Sequence, residues 1–307
     1  MQNIVSKIIL SIKSHTDSFA DIFGFAKAAN KFWNKNFTSA LILYLKNFIH
    51  PKKTILFYPE RPVRSSIVYK LCAALGYKIT SNPKNKNAIP FKYKNETFFD
   101  TEKLKSILSK NKILNGKNDD ISKTKVAEIF SEVYDYSLGV DPKIFQGRIV
   151  VKSDLNALHK GEVIQGPIEA DLVKAGMVYQ KEIDNITGDG LVLDYRVPVH
   201  GNNIPLVYLK YRPMETRFSN TNNFVEMKET SEIFSDEEIE KILKFTEKMG
   251  IDFGELDILR DKDGRIYIVD VNSSPWGPPN GLPVADQKMA VKILTKSFEE
   301  LIEKNYH

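Results

Sequence analysis

The segment 251–280, IDFGELDILRDKDGRIYIVDVNSSPWGPPN, constrains the fold more than any other stretch of this 307-residue chain. Two apolar strand patterns flank Asp263-Gly264, a pair that favours the two-residue type I′ turn of a β-hairpin. The strands are expected at 255–260 and 265–271. Because such a turn fixes the register, the sequence places Asp257 directly opposite Asp270. We therefore predict two carboxylates that face each other across a largely buried hairpin.

Two opposed carboxylates destabilise a sheet unless a cation lies between them. Asn272 follows Asp270 by two residues and points to the same face, since strand side chains alternate. Two Asp carboxylates and an Asn carbonyl are the hard oxygen ligands that Mg²⁺ binds together with water and phosphate. The sequence therefore predicts a Mg²⁺ site formed by Asp257, Asp270 and Asn272. The alternative is a solvated hairpin whose acids face water.

The composition is that of an ordinary soluble globular protein, with 42% hydrophobic and 27% charged residues. A net charge of +5 suits anionic ligands such as nucleotides, and we expect no nucleic-acid partner. The single cysteine, Cys72, excludes an internal disulfide framework and a Cys-rich zinc site. The N-terminus lacks a signal-peptide pattern, and no apolar run reaches the roughly 18 residues of a membrane span. We expect a cytoplasmic protein.

The chain divides into three parts. Residues 1–50 have helical patterns rich in Phe and Lys, which we interpret as a helical extension packed on the protein or on a partner subunit. An amphipathic membrane-surface anchor is the alternative, but 37–49 is apolar over too broad an arc for an interfacial helix. Residues 51–120 open with a strand–helix–strand pattern typical of a small α/β domain. Residues 121–307 contain the remaining strands and the hairpin.

Lysines lie at element ends where phosphate groups commonly bind. The short apolar strand RIVVK ends in Lys152, and Ser122 is placed to N-cap a helix whose first turn carries Lys123 and Lys125. No glycine-rich Walker loop is present, so a polyphosphate would be held by side chains and Mg²⁺. The alternative for each lysine is a solvated surface position.

The order of these features resembles the ATP-grasp superfamily over residues 121–307. The last motif of that family is a metal-binding Asp, a hairpin turn, then Glu-x-Asn followed by a small residue and Pro. Here it is matched by Asp257 and by DVNSSP at 270–275, with Asp270 in place of the commoner Glu. The resemblance implies an α+β ATP-grasp fold, in which two α+β subdomains grip ATP, after a small α/β domain and an N-terminal helical extension.

The resemblance also implies roles for individual residues. Lys152 and either Lys123 or Lys125 would contact phosphates. The hinge strand would bind adenine and ribose through Gln180, Glu182 and Ile183, with Glu182 as the acid for the ribose. Arg196, Lys210, Arg212 and Asn220 would face the γ-phosphate, where a planar Arg suits developing negative charge. The structural alternatives are cross-strand pairing for Glu182 and salt bridges, for example to Glu215, for the basic residues.

Three stretches differ from the family pattern or extend it. Glu255 stands where some ligases of the family have an arginine, and the loop SDLNALHKG after Lys152 is less glycine-rich than in many members. The stiff segment WGPPNGLP at 276–283 is expected to shape the acceptor pocket, with Trp276 in the core as the alternative.

These features imply an ATP- and Mg²⁺-dependent ligase that joins a small-molecule carboxylate to an amine through an acyl phosphate. A small-molecule kinase with a hydroxyl or amide acceptor is the first alternative, because Glu255 replaces an arginine. A nucleotide-binding protein without catalysis is the second.

Overall fold

The computed structural model describes residues 51–109, 112–156, 161–219 and 221–306. The helical extension expected over residues 1–50 lies outside these ranges. None of the helices within them combines the length and the apolar character that crossing a membrane requires.

The first described unit is a three-stranded parallel sheet in the order β2-β1-β3. Its elements are β1 (Thr54–Pro59), α1 (Ile67–Leu75), β2 (Lys78–Thr80), β3 (Ile89–Tyr93) and α2 (Thr101–Leu108). Both β2 and β3 pair with β1 in parallel, which confirms the strand–helix–strand prediction. Helix α1 ends at Gly76, whose φ of 72° gives the left-handed cap that glycine adopts without strain.

The next unit is a helix followed by a small antiparallel sheet in the order β5-β4-β6, here called the small sheet. Its elements are α3 (Lys123–Tyr134), β4 (Gly147–Ser153), β5 (Gly161–Gly166) and β6 (Met177–Lys181). The predicted strand 178–184 is shorter in the structure, so that Glu182 and Ile183 follow β6 instead of lying within it.

The largest unit is a five-stranded antiparallel sheet in the order β11-β10-β7-β8-β9, here called the central sheet. Its strands are β7 (Leu191–His200), β8 (Val207–Pro213), β9 (Phe224–Lys228), β10 (Phe253–Arg260) and β11 (Ile266–Asn272). The helices of this unit are α4 (Thr230–Ile233), α5 (Asp236–Lys248) and α6 (Val284–Asn305). The predicted capping box of Ser235 and Glu238 begins α5.

The two faces of the central sheet have different surroundings. One face is apolar and forms a core with α3 and α5, which contribute Phe130 and Phe245. The other face is apolar at one end, where Tyr208 and Phe253 pack with the parallel sheet and α6. The rest of that second face carries charged side chains, and the candidate site lies there.

The hairpin of β10 and β11 corrects the predicted turn. Asp261 N donates to Arg265 O at 2.9 Å and Gly264 N to Asp261 O at 3.1 Å, which defines a three-residue loop instead of a type I′ turn. The Asp261 carboxylate accepts from the N–H groups of Asp263 and Arg265 and stabilises this loop. Only Gly264 needs a positive φ, of 84°.

Candidate active site

A charged row crosses the central sheet on its polar face. The register pairs Asp257 of β10 with Asp270 of β11 on one side and with Arg196 of β7 on the other. The next positions along the hairpin, Glu255 and Asn272, also face each other. The pairing of Asp257 with Asp270 is therefore as predicted, although the turn is not.

Arg196 holds Asp257 through two hydrogen bonds. Nε donates to Oδ1 and Nη2 to Oδ2, both at 3.1 Å, and Lys210 Nζ lies 3.5 Å from Oδ1. Burial alone would raise the pKa of Asp257, but Arg196 and Lys210 hold it well below its ordinary value. Burial lowers the pKa of Lys210, and the Asp257 carboxylate opposes that shift. Asp257 is therefore an anion fixed in orientation at neutral pH.

Asp270 is less completely satisfied than Asp257. Its Oδ1 is buried without a hydrogen-bond partner, and Lys123 Nζ lies 3.9 Å from that oxygen. Burial raises the pKa of Asp270; Lys123 lowers it and the charge of Asp257 raises it further. A buried carboxylate oxygen without a partner is costly unless a ligand completes it.

The three predicted metal ligands suit Mg²⁺ but supply only part of its coordination shell. Within the described ranges, no three His, Cys, Asp or Glu side chains form a group able to hold a metal ion alone. Asp257 and Asp270 are two carboxylates opposed on one face, and Asn272 Oδ1, on the same face, accepts from Ser274 N at 3.0 Å. Mg²⁺ commonly takes one or two carboxylates and completes its shell with water and substrate phosphates, so the donor set suits it.

The predicted phosphate-binding lysines do not all lie together. Lys123 is buried beside Asp270, and its Nζ donates to Leu155 O at 3.0 Å. Burial lowers the pKa of Lys152 to about 8; Asp270 opposes that shift and Lys123 adds to it. Lys125 instead contacts Glu128 at 3.1 Å on the surface of α3. Of the two helix lysines, the structure therefore places Lys123 in the site.

The predicted hinge residues lie in or directly after β6, an edge strand of the small sheet. Gln180 is buried opposite Val150, and its Nε2 has no hydrogen-bond partner. Glu182 forms ion pairs with Arg148 and Arg217, so it is not a free acid in this structure. The Ile183 carbonyl accepts from Arg217 Nη2 at 3.3 Å.

Arg212 binds the loop after β8 instead of projecting freely into the site. Nη2 lies 3.2 Å from Asp194 Oδ2, and Nη1 donates to the carbonyls of Arg217 and Ser219 at 3.0 and 3.1 Å. A salt bridge was the structural alternative for this residue, and its partner is Asp194 instead of Glu215. The fourth predicted residue, Asn220, lies outside the described residues.

Glu255 is 3% exposed and lies near the charged row. Its Oε2 is 3.6 Å from Arg196 Nε and has no hydrogen-bond partner. Burial raises the pKa of Glu255 to about 7, although Arg196 lowers it. The hydroxyl of Tyr208, whose strand position is directly opposite Arg196, is also buried without a partner.

The segment after the hairpin contacts the parallel-sheet unit. Ile67 N donates to Pro275 O at 3.1 Å and Gly277 N to Ser65 O at 3.4 Å. Trp276 is 64% exposed, so the alternative that it belongs to the core is wrong.

Sequence reasoning missed two charged residues of this region, Asp194 and Arg217. Asp194 follows the same alternation on β7 that predicts Arg196, so the strand pattern contained its signal. Arg217 lies in a loop, and only the tertiary structure brings it to Glu182.

No protein-family model matches the chain, and the comparison with curated proteins gives no match. Among solved structures, the chain is similar to D-alanine–D-alanine ligase from Bacillus anthracis complexed with ATP, at 12% identity and a TM-score of 0.50, over 82% of this chain and 96% of that one. It is also similar to the L-amino acid ligase from Bacillus licheniformis, at 13% identity and a TM-score of 0.46, over 81% and 74% of the two chains. A third similarity is to the macrocyclase MdnC bound with precursor peptide MdnA from Microcystis aeruginosa MRC, at 13% identity and a TM-score of 0.43, over 79% and 99%. The first of these similarities, together with the arrangement of the two antiparallel sheets, shows that the chain has an ATP-grasp fold.

Proposed function

We propose that the chain is an ATP- and Mg²⁺-dependent ligase that joins a carboxylate to an amine and releases ADP and phosphate. The observation that carries the proposal is the charged row, in which the opposed acids lie beside Arg196. Two lysines are also close to these acids, Lys210 to Asp257 and Lys123 to Asp270. Acids that share a cation and basic groups that bind phosphate are what phosphoryl transfer from a nucleotide requires.

The nucleotide would lie between the small sheet and the central sheet. Lys152 and Lys123 would bind its phosphates, Glu182 its ribose, and backbone groups from Gln180 to Ile183 its adenine. Asp257, Asp270 and Asn272 would hold Mg²⁺, which supplies charge neutralisation at the β- and γ-phosphates when it is bound. Lys125 is not part of this proposal, because it contacts Glu128.

The chemistry would proceed in two displacements. A substrate carboxylate oxygen attacks the γ-phosphorus and ADP leaves, which gives an acyl phosphate. The amine then attacks the acyl carbon, the carbon–oxygen bond breaks, and phosphate leaves with the proton that the amine nitrogen loses. Arg196 and Lys210 would bind the negative charge that develops on oxygen in both steps, and the fixed geometry of Arg196 supports that role.

The acceptor would bind where the hairpin meets the parallel-sheet unit. Backbone hydrogen bonds join the segments 65–67 and 275–277 there, and the exposed Trp276 is on the second of these. We propose 51–120 as a preceding α/β domain that helps to select the acceptor, and 121–307 as the ATP-grasp domain.

A kinase is the second candidate, and Glu255 is the observation that favours it. A buried carboxylate with one unpartnered oxygen, 3.6 Å from Arg196, is suited to accept the proton of an attacking hydroxyl. The product would then be a phosphate ester and ADP.

Phosphorus NMR of the protein with Mg-ATP, a pool of carboxylic acids and alcohols, and hydroxylamine as a general nucleophile separates these candidates, with the absorbance of the ferric complex reporting any hydroxamate. A ligase gives ADP, inorganic phosphate and a hydroxamate, and all three depend on the acid. ADP with a new phosphomonoester signal would establish a kinase instead. Binding of Mg-ATP without turnover would favour a non-catalytic protein, and Asp270→Ala should abolish turnover in either enzyme.

A further inference from the structure

We infer that Arg217 is a positioning residue for ribose recognition, and that the segment 214–219 straps the nucleotide cleft between the two antiparallel sheets. The inference deepens the proposed function and rests on it, since Glu182 is taken as the acid that binds ribose. Three sets of contacts carry it.

The strap, as residues 214–219 are called here, is fastened to the central sheet by Arg212. This side chain is 6% exposed and is held by Asp194 on the neighbouring strand. Its Nη1 donates to the carbonyls of Arg217 and Ser219 at 3.0 and 3.1 Å. One buried guanidinium therefore fixes the backbone of the strap at two points.

The strap is fastened to the hinge by Arg217. Its Nη1 binds the Glu182 carboxylate, and its Nη2 donates to Ile183 O at 3.3 Å and to Asn185 Oδ1 at 3.4 Å. The side chains of Arg217 and Glu182 are only 11% and 13% exposed. A planar fork that contacts both the acid and the hinge backbone fixes their relative orientation, which a single point charge does not.

The strap also contacts the start of β5 through Phe218. A Cβ added to Gly161 would lie 3.0 to 3.2 Å from three atoms of the Phe218 ring, so the ring rests directly on the glycine. Arg217 and Phe218 therefore contact two edges of the small sheet, while Arg212 holds the same segment from the central sheet.

Glu182 can bind ribose while Arg217 holds it. A carboxylate accepts about four hydrogen bonds, and hydroxyl donors can use the lone pairs that the guanidinium leaves open. Arg148 donates to both oxygens of the same carboxylate, Nε to Oε2 and Nη2 to Oε1 at 3.2 Å, but its side chain is 62% exposed and lies outside the strap, so a ribose hydroxyl can replace its bonds. Both arginines form an ion pair with Glu182, but only Arg217 is buried and belongs to the strap. Arg148 is therefore a matched control.

The test measures binding of Mg-ATP and of Mg-2′,3′-dideoxy-ATP by calorimetry. Wild-type protein should prefer ATP by about 10-fold or more, because hydrogen bonds to a charged group give that discrimination. Arg217→Met should lower this ratio to below about threefold, and Arg217→Lys should restore part of it, since the charge remains without the fork. Arg148→Met should retain the wild-type ratio, because exposed ion pairs contribute little.

Hydrogen exchange of the nucleotide-free protein supplies a readout that does not depend on ATP. Amides of the strap should exchange faster in Arg217→Met than in wild type and should be unchanged in Arg148→Met. An unchanged exchange rate in Arg217→Met, or a wild-type ratio in its nucleotide binding, overturns the inference while the proposed function stands. Failure of wild-type protein to bind either nucleotide overturns both.

Discussion

Arg196 and Asp257 lie directly opposite each other on neighbouring strands, and the guanidinium donates to both carboxylate oxygens at 3.1 Å. The same register brings Asp270 to the other side of Asp257. Arg196 therefore compensates one of two opposed acids within the sheet. That leaves Asp270, with its unpartnered oxygen, as the acid that most needs a further ligand.

The first prediction concerns the stability that this pair provides. Arg196→Met leaves the Asp257 charge partly buried beside Asp270, with Lys210 as its nearest remaining cation, so we expect a loss of about 2–3 kcal/mol in the free energy of unfolding. A urea-unfolding cycle with Asp257→Asn and the double variant should give a coupling above about 1 kcal/mol. The exposed pair of Lys248 and Glu132 serves as the control, with an expected coupling near zero. Equal couplings for both pairs would show that Arg196 has no special role.

The second prediction concerns Asp270 and the divalent cation. Asp270→Asn removes one of two carboxylates from the proposed ligand set, so Mn²⁺ affinity measured by electron paramagnetic resonance with ADP present should fall by at least about 10-fold. Asp263→Asn, in the exposed loop of the same hairpin, removes the same charge and should have no effect. A similar loss in both variants would indicate general electrostatics instead of coordination.

The hairpin shows how far the sequence predicts the site. Asp257 pairs with Asp270 as predicted, but two offsets cancel to give that result. The three-residue loop adds one residue near the turn, and Val269 is an extra residue between Ile268 and Asp270 that restores the register. The alternation of apolar and polar residues predicts which residues share a face of the sheet. It predicts neither the length of the loop nor the position of the bulge.

Residues on strands were easier to predict than residues in loops. Alternation along β7 and β10 is enough to place Arg196 and Asp257 on one face. The contact between Arg217 and Glu182 joins positions 35 residues apart through a loop, and no periodicity encodes it. The sequence does not show which of Lys123 and Lys125 lies in the site, because both occupy the first turn of α3. Only the tertiary structure distinguishes them, since it places Asp270 beside Lys123 and Glu128 beside Lys125.

The third prediction tests the loop that replaced the predicted turn. Gly264 has a φ of 84°, and a Cβ there would meet no atom within 4 Å, so Gly264→Ala adds backbone strain without a clash. We expect a loss of about 1 kcal/mol in the free energy of unfolding. Gly188 is also open but lacks a positive φ, so Gly188→Ala should be neutral or slightly stabilising in the same urea titration. Equal effects would mean that the loop adapts to the side chain.

The fourth prediction concerns Lys92, which is 2% exposed on β3. Its Nζ donates to Asn118 Oδ1 at 3.0 Å and lies 4.9 Å from the centre of the Phe99 ring. Burial lowers the pKa of Lys92 from 10.5 to about 8, although the charges of Asp119 and Glu96 oppose the shift. The folded protein therefore releases this proton at a lower pH than the unfolded chain does.

Between these two pKa values the unfolded chain binds more protons, so the contribution of Lys92 to stability must rise with pH. The free energy of unfolding of wild type minus that of Lys92→Met should be flat below about pH 8 and should increase above it, by at most about 1.4 kcal/mol per pH unit. Urea titrations of both proteins between about pH 7 and pH 10 measure this difference, and groups common to both cancel. A difference for Lys92 that falls with pH would mean that the buried ammonium is stabilised by its neighbours more than burial disfavours it.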